Sequence, residues 1–172
     1  STTQYVPQSE GTSFTVTLSN DDLNRIKFNE QVGTSASTTL VSFESTLLAD
    51  MAGVRVSPIS VASALGAFAF VSDSTQPTLD AFDLDMSSGE IRVRFSETVT
   101  TSVNASRFLL FVPGTPSESL QLTSVVVSRS AMDALVLTLS ERDLNILKQL
   151  PALAVDNTTR LQVLAGAFSD TS

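Results

Sequence analysis

Carboxylates carry most of the chemistry open to this sequence. Asp73, Asp80, Asp83 and Asp85 crowd around the dipeptide Gln76-Pro77. Hard oxygen ligands at a boundary between units are what calcium selects, and an ion there would stiffen the joint. The dense Asp-x-Asp-Gly loop of a dedicated calcium site is missing. The spacing also describes a solvated strand, because Asp83 and Asp85 fall on the side opposite Phe82 and Leu84. Pairs such as Glu90 and Glu97, or Asp83 and Asp85, have the residue types of an acid–base couple. Glycoside hydrolysis needs that couple in a cleft, usually beside aromatic surface for the sugar, and the chain has one Tyr and no Trp. Its ten Phe stand mostly at inward strand positions and read as core. With no His and no Cys, a Ser-His-Asp triad, a thiol nucleophile, an imidazole or thiolate metal site and a disulfide framework are all excluded. The sequence therefore reads as non-enzymatic, with no cofactor beyond the calcium candidate.

Hydroxyl groups are the other excess. Of 172 residues, 26 are Ser and 20 are Thr. Asn104-Ala105-Ser106 and Asn157-Thr158-Thr159 fit the N-glycosylation acceptor pattern and lie between expected strands. A chain this rich in Ser and Thr also meets that pattern by chance. Thr34, Ser35, Ser37, Thr38 and Thr39 offer sites for O-linked sugar or form a plain polar loop. The net charge of −8 disfavours nucleic acid and anionic lipid as partners. The most apolar stretch, residues 59–71, is too short to span a membrane, so no membrane insertion is expected, and it reads as a buried strand. A first residue of Ser rather than Met suits a processed form or a piece of a longer polypeptide.

The elements that position these groups are organised by an internal repeat. Residues 14–27, FTVTLSNDDLNRIK, align without a gap to residues 135–148, LVLTLSERDLNILK, at an offset of 121. Thr17, Leu18, Ser19, Asp22, Leu23, Asn24 and Lys27 recur identically, and three of the seven mismatches keep apolar against apolar. Phe14, Val16 and Leu18 alternate with Thr15 and Thr17, the period of a half-buried strand. Ser19 then supplies an N-cap oxygen, acids follow in the first turn, and Leu23 and Ile26 share a face of a short helix. The second copy repeats this through Ser140, Asp143, Leu144 and Leu147 until Pro151 stops it.

After Pro77 a series of about six strands is expected: 78–86, 91–95, 108–112, 120–128, 135–139 and 161–168. Regular short strands with turn signals predict an antiparallel sandwich. The expected fold is all-β, two tandem Ig-like β-sandwich modules each with one short helix. Residues 1–76 form a module lacking its first strands, and 77–172 one lacking its last.

Taken together, TLSNDDLNRIK from Thr17, ADMAG from Ala49, TLDAFDLDM from Thr78 and IRVRFSETV from Ile91 resemble tandem Ig-like or cadherin-like repeats of large extracellular surface or filament proteins of algae, protists and bacteria. The resemblance runs from about Phe14 to Phe168, with Val54 departing from the Asn that often follows the ADMAG glycine. It implies spacing, adhesion or filament building at the cell surface. The leading expectation is a structural subunit that pairs with copies of itself, head to tail, by strand complementation or within a tandem array. The alternatives are an adhesion or ligand-binding module of a giant surface protein, or a carbohydrate-binding domain.

Overall fold

The computed structural model describes residues 4–7, 13–29 and 31–168. The outer ends of both expected modules therefore lie outside the described residues. The fold is all-β with two short α-helices.

From Leu79 onward, alternation writes the architecture. Strands β5 (Leu79–Asp85), β6 (Glu90–Phe95), β10 (Ala134–Leu139) and β9 (Val125–Ala131) form one antiparallel sheet in the order β5-β6-β10-β9. Strands β11 (Arg160–Val163), β7 (Phe108–Val112) and β8 (Thr115–Gln121) form a second, in the order β11-β7-β8. Ile91, Val93 and Phe95 point inward between exposed Arg92, Arg94 and Ser96, as a period of two requires. They meet Leu135 and Leu137 of β10, Phe108 and Leu110 of β7, and Leu147 of the helix α2 (Glu141–Leu147) in one core. Phe168 closes one end, its ring 4.4 Å from that of Phe95 and edge-on at 62°.

The expected strand 120–128 is two strands. At Thr123 the chain leaves one sheet for the other, and its backbone amides bond to a side chain instead of a ladder. Thr123 N donates to Asp143 Oδ2 at 2.8 Å, and Ser124 N to the same oxygen at 3.3 Å. The last expected strand stops at Val163, and the chain turns through Gly166, whose φ is +79°.

The first half is built differently. Strands β1 (Gln4–Pro7) and β2 (Phe14–Thr17) pair antiparallel, helix α1 runs Asn20–Phe28, and β3 (Leu40–Val41) pairs with β4 (Leu65–Gly66) over two residues each. Among the described residues numbered 13–76, Ser19 alone is buried. The stretch 59–71 is no buried strand: a 3₁₀ turn at Val61–Ser63 and β4 occupy it, and Phe68 is 106 % exposed. Small Ala, Ser and Gly residues interrupt its apolar run, and no described sheet lies over it.

Candidate functional site

The two copies of the repeat build the same local structure. Ser19 accepts from Asp22 N and Ser140 from Asp143 N, each at 3.1 Å, so both hydroxyls cap a helix. Hairpin β1–β2 stands to α1 as β9–β10 stands to α2; Gln4 opposes Thr17 as Val126 opposes Thr138, one residue out of register with the 121 offset.

What each helix touches differs. In α2, Asp143 is 0 % exposed, Leu147 is 0 % exposed and Leu144 is half-buried. A methyl on Gly89, in the β5–β6 turn, would stand 3.0 Å from Leu144 Cδ2, so that turn lies directly on the helix. Burial opposes ionisation of Asp143, but bonds from Thr123 N, Thr123 Oγ1 and Ser124 N outweigh it and hold the carboxyl below its ordinary range. In α1 the counterparts Leu23 and Ile26 line an open cleft of about 740 Å³ between the helix and residues 70–75. Leu18, Val32 and Phe70 share its walls, which are mostly apolar. No residue of 1–172 stands where the repeat would place a counterpart of Gly89, since 89 − 121 is negative.

At the floor of this cleft Lys27 bridges Asp73 and Glu97. Glu97 is 6 % exposed. Burial alone would lower the Lys27 pKa; its bonds to the two carboxylates raise it instead. The Lys27 ammonium, helped by Thr75 N, holds Asp73 down at about 2. Beside this bridge, Thr98 Oγ1 donates to Asn24 O at 3.3 Å, and the Arg129 guanidinium stacks over the Phe28 ring at 5.1 Å. One face of α1 is thus docked on the sheets that follow it.

The four aspartates near Pro77 are not brought together. Asp73 is held by Lys27, and Asp80 accepts from Thr78 Oγ1 at 3.2 Å. Asp83 is exposed opposite Arg92 of β6. Asp85 accepts from the Ser87 side chain and then the Ser87 and Ser88 amides, which depress its pKa to about 2. Among the described residues no group of three or more acids converges on a cation-sized point. The carboxylate couple is also separate, Glu90 pairing with Arg92 at 3.1 Å and Glu97 with Lys27. Asn104 and Asn157 are both exposed, in a 3₁₀ cap and a turn. In the loop 34–39, Thr38 Oγ1 accepts from the Thr34 and Ser35 amides, and Thr39 Oγ1 donates to Ser35 O at 2.7 Å. No described helix is long and apolar enough to cross a membrane.

Compared with known proteins, the chain matches no family model, no curated protein and no solved structure. The repeat inside the chain is therefore its only reference. The Lys27 bridge was not singled out from sequence, although a signal exists: the chain has two lysines, and both stand at the same repeat position, since 148 − 27 = 121.

Proposed function

We propose that this chain is a non-enzymatic structural segment of an extracellular filament or surface layer. In this reading it holds two tandem Ig-like sandwich units, and the first is completed by strands from a neighbouring unit. The supporting observation is the contrast between equivalent positions: Leu147 is fully buried under its own sheets, whereas Ile26 lines an open cleft. Val16, Leu18 and Leu23 are likewise at least 39 % exposed, while Leu137 and Leu139 are at most 7 % exposed. A contiguous apolar face of this kind marks an interaction surface, and strand addition is the mode that fits a hairpin with apolar alternation. A contact that joins one end of a unit to the other end of the next is heterologous and propagates into a filament unless it closes a ring. The absence of His and Cys, and the dispersal of the carboxylates, favour structure over catalysis.

Sedimentation velocity over a wide concentration range, with electron microscopy of the product, tests this reading. Assembly that grows with concentration and is blocked by Leu23→Asp is expected. A chain that stays monomeric and binds no apolar reporter dye overturns it. Denaturing mass analysis of natural material then separates assembled subunits, near 18.3 kDa plus sugar, from a covalent array.

A further inference from the structure

The two repeat helices carry the same residues at Asn24/Asn145 and Lys27/Lys148 but differ in what covers them. Asp143 and Leu147 are buried against the sheets of their own unit and Leu144 is half-buried there, while Asn145 and Lys148, on the adjoining flank of the helix, are exposed. In α1 the flank corresponding to Asn145 and Lys148 is occupied instead: Asn24 and Lys27 are half-buried against the sheets that follow, and Leu23 is exposed. Lys148 makes no ion pair among the described residues, whereas Lys27 makes two.

We propose that the outer face of α2, centred on Asn145 and Lys148, is a docking surface for a further unit of this same repeat joined in series. The occupant brings two carboxylates and a hydroxyl. One acid corresponds to Asp73, 46 positions beyond the lysine, because 73 − 27 = 46. A second corresponds to Glu97, 70 positions beyond it, and the hydroxyl to Thr98. Lys148 Nζ then bridges the two carboxylates, and the Asn145 carbonyl accepts from the hydroxyl, as Lys27 and Asn24 do within this chain. Charge complementarity and the occupied example at α1 both specify this occupant. One contact is not reproduced, because Gln149 stands where Phe28 meets the Arg129 guanidinium. The inference rests on the repeat reading above but concerns the surface of α2, not the apolar cleft beside α1.

The two lysines make the test direct. The 172-residue chain is compared with an extended chain, residues 1–172 followed by a second copy of 52–168, which preserves the 121 offset. The appended copy carries Ala152→Ser as a mass marker, and an amine-reactive acylating reagent is read by peptide mass spectrometry. In the 172-residue chain exposed Lys148 is expected to react several-fold faster than Lys27, whose ammonium is held between the Asp73 and Glu97 carboxylates. In the extended chain Lys148 slows to the Lys27 rate while the appended lysine stays fast. Asp73→Asn with Glu97→Gln in the appended copy alone restores the fast rate at Lys148. Equal Lys148 reactivity in both chains, with Lys27 protected as a mark of correct folding, overturns the proposal. That result leaves the Leu23→Asp assembly test untouched, so failure at α2 is distinguishable from failure at the α1 cleft.

Discussion

Ser19 and Ser140 lie 121 positions apart and make the same bond: each side-chain oxygen accepts, at 3.1 Å, from the backbone amide three residues on. The helices they start are local twins with different surroundings. Below α2 lies a closed core, and below α1 an open cleft.

Replacing Asp143 with Ala strands the Thr123 and Ser124 amides where the chain crosses between sheets. Hydrogen bonds to a charged group contribute about 1.5–3 kcal/mol each, and removing the acceptor leaves donors unmade. A loss of about 3 kcal/mol in urea unfolding is expected. Asp143→Asn keeps one acceptor oxygen and should lose less. Equal, small losses for both variants would remove the crossing-point role.

Lys27→Met leaves Glu97 buried with no counter-charge. Breaking a buried pair from one side costs about 3–5 kcal/mol, while removing both partners is far milder. Lys27→Met is therefore expected to destabilise strongly, and Lys27→Met with Glu97→Gln to recover much of the loss, as measured by a double-mutant cycle in denaturant.

Acid should loosen the joint through Asp73. Its folded pKa, about 2, lies below the ordinary 3.8. A depressed carboxylate adds stability that is present above the higher value and lost as pH falls through the lower. The window is thus pH 4 to 2, and with the solvent screening that the partly exposed Asp73 still has, the shift contributes on the order of 1–2 kcal/mol. Asp73→Asn should flatten the pH dependence of unfolding in that window; an unchanged slope would exclude Asp73 as its source.

Chelator is expected to leave the melting temperature unchanged, because Asp73 and Asp85 are already engaged by Lys27 and by the Ser87 turn. A drop in melting temperature with excess chelator, reversed by calcium, would show an ion site that the fold does not display. Sugar is a separate matter: Asn104 and Asn157 are both exposed, and peptide mass spectrometry of natural material is expected to find both N-glycosylated. Unmodified asparagines would refute it.

Alternation and capping are local, so residues alone determined them. Leu135, Leu137 and Leu139 had to share one face of a strand, Ser140 had to cap a helix, and an all-β chain with two short helices followed. The 121-residue repeat was equally legible, because it is a property of the order of residues. Tertiary structure decided what burial each pattern obtained. Residues 59–71 are as apolar as many core strands, yet Phe68 lies bare because no described sheet covers it. Residues 120–128 read as one strand because nothing local announces that Asp143, twenty positions on, takes the Thr123 amide. Lys27 and Lys148 hold the same repeat position, each three residues after an Asn and four after a Leu, and only the sheets packed against α1 make one a half-buried bridge while the other faces solvent. Burial and ion pairing depend on distant segments meeting, and a local pattern does not contain that information.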